Sequence, residues 1–269
     1  MNKRISILLG LILSTLIHAQ EKGNYLNINL GGGLHNLSYT LQDGTQKGNT
    51  GISAGIGFSH FFTRQWGFQT GLGIETFNAT STLNVLEATP AIDSDGDAYI
   101  FKSDIRGWKE NQSSVYLEIP LTGQFKYTYS DKIGIISTFG AKVAFPINTT
   151  YKTTGGEIVT SGYYPQWDAE LTDMPQHGFT TIHPTFNGDY SLKALYSAVV
   201  ELGGIYKLSD KQHLYIGGYL NYGLNNVLSP ETKKVYLVDG GYSGVLGTYQ
   251  TKSIKPFSIG LKLGLYFKL

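Results

Sequence analysis

The stretch Ser114–Tyr129, SVYLEIPLTGQFKYTY, decides the fold. Its odd positions are Val115, Leu117, Ile119, Leu121, Gly123, Phe125, Tyr127 and Tyr129. Its even positions are Ser114, Tyr116, Glu118, Pro120, Thr122, Gln124, Lys126 and Thr128. Successive side chains of a strand point to opposite faces, so this period of two describes one long strand with an apolar and a polar face. The same alternation recurs over Leu195–Leu208, His213–Asn225 and Phe257–Leu269. Gly-rich versions occupy Tyr25–Ser38, Thr50–Phe62, Trp66–Ala79 and Ile133–Asn148. Eight strands are predicted, each long enough for the roughly 9–11 residues a tilted strand needs to cross a bilayer.

The connections alternate in length. Three are short: Thr63-Arg64-Gln65, Ser130-Asp131-Lys132 and Ser209-Asp210-Lys211. Four are long: Tyr39–Asn49, Thr80–Ser113, Thr149–Lys193 and Asn226–Thr251. Short turns at one end and long loops at the other are the pattern of a transmembrane barrel. The expected fold is therefore all-β, an eight-stranded antiparallel up-and-down transmembrane β-barrel with short periplasmic turns and long extracellular loops. Phe61, Phe62, Trp66, Phe68, Tyr127, Tyr129, Tyr206, Tyr215, Tyr266 and Phe267 cluster beside the short turns and the chain end, where they are expected to form an interfacial girdle. Pro120, Pro146 and Pro256 fall inside strands and predict local irregularities, because proline removes a ladder donor.

Composition agrees. Charged residues make up 15% of the 269, against about 25% in an average soluble domain, and aromatics reach 13%. A soluble secreted barrel, the runner-up, would carry more charge on its polar faces. With 21 basic and 20 acidic residues there is no nucleic-acid footprint, and the absence of cysteine removes disulfides and thiolate metal sites. Lys3 and Arg4, the uncharged run Ile5–Ile17 and the small residue Ala19 read as a secretory signal peptide. The expected organisation is a leader over 1–19 and one barrel domain over 20–269, exported to the outer membrane.

If the apolar faces meet lipid, the opposite faces converge on the axis with Asn27, Asn29, Gln69, Gln124 and the charged residues Glu75, Glu118, Glu201, Lys126, Lys142, Lys207 and Lys262. An eight-stranded barrel is just wide enough to be filled by side chains. These charges must then pair, since an isolated buried charge costs several kcal/mol. We expect the four lysines to face the lumen and at least two to approach a Glu, making a plug and not a conduction path.

The segment Val115-Tyr116-Leu117-Glu118-Ile119-Pro120-Leu121 resembles the Tyr-Leu-Glu-Ile-Pro-Leu signature of the PorT-like outer-membrane β-barrel family. Gly67-Phe68-Gln69-Thr70-Gly71-Leu72-Gly73 is similar to that family's preceding Gly-rich strand. The resemblance implies a small barrel of a Gram-negative bacterium. One branch of the family is implicated in a protein-secretion machine, so envelope or secretion-machinery proteins are the implied partners, beside outer-membrane lipid. Leu269 departs from the terminal aromatic common in such barrels, and Phe267 is the candidate for that part.

Catalytic signals are thin. His35, His60, His177, His183 and His213 are scattered, and His177 shares only a loop with Asp173 and Asp189, so no enzyme and no cofactor are expected. Asp93-Ser94-Asp95-Gly96-Asp97, with Asp104 beyond it, is a weak calcium candidate. It lacks Gly at the sixth position and ends in Asp where Glu is usual. Thr149–Lys193 carries Tyr151, Tyr163, Tyr164, Trp167, Phe179, Phe186 and Tyr190, which suit either a packed cap over the barrel mouth or a recognition surface. The function expected is that of a structural or interaction barrel acting through its loops. A small-solute channel is the alternative, and an outer-membrane enzyme comes behind both.

Overall fold

The computed structural model describes residues 23–229 and 233–269. The predicted leader lies outside the described residues. Twelve strands form: β1 Gly23–Leu41, β2 Gly44–Gly48, β3 Thr50–Phe61, β4 Trp66–Ile92, β5 Ala98–Thr128, β6 Ile133–Tyr164, β7 Ala169–Leu171, β8 Thr181–Ile182, β9 Asn187–Asp189, β10 Leu195–Lys207, β11 Gln212–Gly223 and β12 Thr251–Lys268. Eight of them ring into one antiparallel sheet in the order β1-β3-β4-β5-β6-β10-β11-β12. The ring closes where β12 pairs with β1, Tyr25 opposite Lys268, and where β6 pairs with β10, Gly140 opposite Val199. Closure leaves the ring without an unpaired edge. Both described ends of the ring lie together, with the Leu269 N–H donating to the Asn24 carbonyl at 2.9 Å.

Alternation decides which side chains point inward. Along β1 the inward series is Tyr25, Asn27, Asn29, Gly31, Gly33, His35, Leu37 and Tyr39, while Leu26, Ile28, Leu30 and Leu34 point out and stay exposed. Outward apolar residues recur on all eight strands of the ring, with Leu121 and Leu261 at 65% and 72% exposure. Inward glycines give the large aromatics room to lie across the narrow barrel. A Cβ on Gly260 would come within 2.7 Å of the Tyr219 hydroxyl, and one on Gly203 within 2.6 Å of the Tyr215 ring.

Two expectations need correction. Thr80–Ser113 and much of Thr149–Lys193 are not loops: β4, β5 and β6 run for 27, 31 and 32 residues, and the β4–β5 hairpin turns only at Asp93–Asp97. Some 16 residues of β4 lie beyond the apolar band, or about 50 Å along the strand. Part of Tyr39–Asn49 also pairs, as β2 on β4. The reason is that period two persists past the band; above it the outward face turns polar and the strand loses its apolar signature. The second correction concerns the aromatics beside the short turns. Phe62, Trp66, Phe68, Tyr127, Tyr129 and Tyr206 do point outward, but Phe61, Tyr215 and Tyr266 are buried inside the ring. Strand parity separates the two sets.

The strand prolines act in three ways. The β5–β6 register slips beside Pro146, the β4–β5 ladder is interrupted opposite Pro120 without a slip, and β11 ends its pairing with β12 one residue short of Pro256. A further slip between Arg106 and Lys109 holds Gly107 at φ 54°, in the left-handed region that favours glycine, with its N–H on the Asn84 side chain at 2.7 Å.

Candidate functional site

The lumen is stacked in layers, each set by the inward residue of its strands. At mid-height Lys142 on β6 sits between two carboxylates, bonded to Glu75 on β4 and at 2.6 Å to Glu118 on β5. Two acids against one lysine leave an excess negative charge, which neutral donors share. Ser258 donates to Glu75 at 2.6 Å and Asn221 at 3.2 Å. His35 lies with Nδ1 3.6 Å from Glu75 and 2.8 Å from the Thr76 carbonyl, and its Nε2 meets the Tyr219 hydroxyl at 2.5 Å. The Tyr219 ring lies beneath the ammonium of Lys262, which pairs with Glu201. His35 thus links the Tyr219 hydroxyl to the β4 backbone beside Glu75.

Lys142 and Lys262 therefore approach Glu as expected. Lys126 and Lys207 also line the interior, but at the short-turn end. There Lys126 lies over the rings of Tyr25 and Phe61, and Lys207 pairs with Asp210 of the neighbouring turn at 2.7 Å. Between the charged layer and that end, hydrogen bonds run from Gln124 on β5 to Gln69 on β4 and from Gln69 and Asn29 to Asn27 on β1. A gap of about 40 Å³, room for a few waters, opens among Asn29, Gln69, Glu118, Lys142 and Lys262.

Above the charged layer the lumen is sealed by apolar residues. Leu37, Tyr39, Phe77, Tyr116, Leu195 and Ile254 come from the ring, and Val227, Leu228 and Leu246 enter from the connection between β11 and β12. Burying this layer follows from the hydrophobic effect at roughly 25 cal/mol per Å². A second apolar core continues outward. It packs Leu83, Val85, Phe101, Ile105, Trp108 and Ile158 of the extended strands against Phe179, Val235, Tyr236 and Val245, and Leu41 touches both cores. The aromatic segment expected as cap or recognition surface is thus largely a cap. Tyr164 and Phe179 are buried and Phe186 stacks on Tyr242 at 4.8 Å, while Trp167 stands out at 60% exposure.

Two buried carboxylates, which the sequence reading did not single out, hold this cap down. Glu87 on β4 accepts the N–H groups of Val235 and Tyr236 at 3.0–3.2 Å. Glu110 on β5 accepts the Val245 N–H at 3.1 Å, the Gln112 side chain at 2.7 Å and the Tyr242 hydroxyl at 2.6 Å. Burial outweighs these donors and pushes the Glu110 carboxyl up to about 7. Their inward parity beyond the apolar band was the signal that could have found them.

At the tip of the β4–β5 hairpin, Asp93 caps its own turn, accepting the N–H groups of Asp95 and Asp97 at 3.0 and 2.9 Å and the Tyr164 hydroxyl at 3.1 Å. Those backbone bonds hold its carboxyl below the usual range. Asp104 is on the strand below, paired with Arg106. Among the described residues no group of three or more His, Asp or Glu is placed to hold a metal, so Asp93, Asp95, Asp97 and Asp104 are not brought together as ligands. His177 sits on a single turn of 3-10 helix, Pro175–His177, and no hydrogen bond or ion pair among the described residues joins it to Asp173 or Asp189.

No family model matches the chain, and no curated protein does. Among solved structures the chain is similar to Neisserial surface protein A, at 10% identity and TM-score 0.39, covering 93% of this chain and 100% of that one. It is also similar to the outer membrane protein OprG from Pseudomonas aeruginosa, at 9% identity and TM-score 0.40, covering 94% and 98%. A third is Ail, the attachment invasion locus protein of Yersinia pestis, in complex with the heparin analogue sucrose octasulfate, at 8% identity and TM-score 0.34, covering 93% and 100%. At such values the functional reading has to come from this chain's own residues.

Proposed function

We propose that this chain is a non-conducting outer-membrane barrel that works as an interaction protein, through the rigid cap at its long-loop end. One observation carries the reading: the ring is apolar outside and closed inside. Exposed Leu, Ile, Val and Phe girdle all eight strands over the length a bilayer core requires, where water would make them an aggregation surface. The charged layer and the apolar seal above it leave no lumen to conduct through. The export signal expected over residues 1–19 fits this location. A chain with nothing to pass and a stiff, two-core projection above the membrane has its working surface on the projection. Trp167 and Ile92, both exposed near the hairpin tip, are the side chains we place at a contact. The partner class we favour is another envelope protein, which the resemblance to PorT-like barrels also suggests, secretion machinery included.

The natural absence of cysteine makes the topology directly testable. In cells of a Gram-negative host, Trp167→Cys should react with a membrane-impermeant maleimide on intact cells, and Lys211→Cys only after the outer membrane is permeabilised. The purified protein in planar bilayers should give no stable conductance steps. Labelling of both positions on intact cells would refute the topology, and reproducible unitary steps would turn the reading to a channel.

A further inference from the structure

Above the barrel the sheet no longer closes. There β4 keeps β5 on one side, but β2 accompanies its other side only as far as Leu83. The last bond on that side runs from the Asn84 N–H to the Asp43 carbonyl at 3.1 Å. From there to the hairpin tip, no strand among the described residues pairs with the open side of β4. Along an antiparallel strand, successive residues turn their N–H and C=O alternately toward the partner and away from it. The Asp93 N–H donates to the Asp97 carbonyl at 3.0 Å, so Asp93 faces β5, and the even-numbered residues below it face away as Asn84 does. Leu86, Ala88 and Ile92 therefore present an N–H and a C=O on the open edge, and Pro90 a C=O alone.

The same four residues carry outward side chains. Leu86 and Ile92 are 66% and 72% exposed, and Ala88 and Pro90 are exposed between them. Across the ladder Pro90 stands opposite Ile100 and Ile92 opposite Ala98, and Pro165 completes a shallow apolar hollow around them. Nearer the bilayer the outward face of the projection is polar, as at Thr80 and Lys109, so this row is an exception. Free main-chain donors and acceptors thus coincide, at every second residue, with an apolar stripe. An extended polypeptide matches that spacing, since its own side chains and N–H groups alternate with the same period. Charge narrows the match. Asp93, Asp95 and Asp97 stand at the tip, and the basic residue of the hairpin nearest to them in sequence, Lys102, is paired with Glu170 at 2.9 Å.

We propose that the open edge of β4 takes up an extended segment of another envelope protein as an added strand. That segment carries apolar side chains at alternate positions and a basic residue beside the tip. The inference rests on the proposed role of the projection as a contact surface, and names the form in which the partner meets it. Pro90 interrupts the edge once, which discourages indiscriminate strand pairing and leaves the donors on either side in place. A second copy of this chain fits poorly. Two barrels upright in one membrane would bring their β4 edges together in parallel, with the acidic tips side by side, and like charges repel.

The test uses the full chain in lipid nanodiscs and the peptide Lys-Val-Thr-Val-Thr-Val-Thr-Lys, read by calorimetry and by hydrogen exchange. The peptide should bind saturably and slow the exchange of the Leu86 and Ala88 amides. Two further forms are N-methylated, one on every valine and one on every threonine. A bound strand turns alternate N–H groups to β4, so one form should lose about tenfold or more in affinity and the other should keep it. Exchanging both lysines of the peptide for glutamate should weaken it by roughly tenfold against the acidic tip. Ala88→Pro removes a donor that β5 does not use and should abolish binding with the hairpin's own protection intact. Leu86→Ser gives a separate loss if that variant disturbs the hairpin. No binding to the wild type would overturn the proposal, as would the same response to both methylated forms or wild-type affinity in both variants. Self-association of the chain that Ala88→Pro abolishes would overturn it in favour of a second copy. The maleimide and conductance experiments do not involve this edge, so failure here is distinguishable from failure of the barrel's proposed role.

Discussion

Glu110 ties the cap to pH. Its carboxyl is buried, its partners are neutral donors on β5 and on the connection that plugs the barrel mouth, and among the described residues no cation stands at ion-pair distance. Burial raises it from 4.5 to about 7. When the cap opens, the side chain meets water and returns to the ordinary value. Protonation therefore favours the closed cap: the stabilisation is complete below pH 4.5 and is lost as pH rises through 7. The interval corresponds to about 3 kcal/mol, or roughly 300-fold in the opening equilibrium. Tyr39, Tyr190 and Tyr242, which surround Glu110, are pushed above their ordinary range by burial and do not titrate in that window. Hydrogen exchange of the amides around Val245, corrected for the intrinsic rate, should accelerate between pH 5 and 8 by a large part of that factor. In Glu110→Gln the neutral isostere should make the profile flat, with wild-type protection at pH 8 exceeded. A flat profile in the wild type, or an unchanged slope in Glu110→Gln, would refute the reasoning.

Other consequences follow from the same geometry. Lys142→Met leaves Glu75 and Glu118 buried without their cation and should destabilise the barrel by about 3–5 kcal/mol, read as a lower urea midpoint in detergent or lipid. Gly203→Val drives a branched side chain against the Tyr215 ring and should cost about 1–3 kcal/mol in the same assay, while Gly204→Val, where no atom lies within reach of a Cβ, should cost far less. Calcium at millimolar concentration should leave exchange across Asp93–Asp104 unchanged, because Asp93 is committed to its turn and Asp104 to Arg106; protection that rises with calcium would restore the metal reading.

What could be read from the sequence was whatever parity alone controls. The strand at Ser114–Tyr129 announced both its faces, so Glu118, Lys142, Glu201 and Lys262 could be placed inside before any pairing was known. The identity of each partner was less accessible. Lys142 meets Glu75 across the axis from β4 to β6, a distance fixed by the closure of the ring and not by either strand. Lys207 shows the same limit from the other side: its place near the turn gives it Asp210, three residues on, before any lumen Glu. The extended hairpins escaped because amphipathicity was read against lipid. Past the band, outward residues such as Thr80 and Lys109 are polar, as water requires, and the inward series Ser81, Leu83, Val85, Glu87 carries the only remaining alternation.

The aromatics at the short-turn end show why that distinction matters for function. Phe61 and Phe62 are adjacent, and composition treats them alike, yet one is 2% exposed and floors a cavity while the other faces outward. Had all these rings formed a girdle, the Lys126 ammonium would have had no ring beneath it. Parity instead places it over two rings, and the same rule that fills the lumen higher up with paired charge leaves charge over an apolar surface here. A buried pair satisfies itself and closes the interior. The Lys126 ammonium instead lies against the faces of the Phe61 and Tyr25 rings. The two ends of one barrel thus differ in chemistry because each layer inherits a single inward residue per strand.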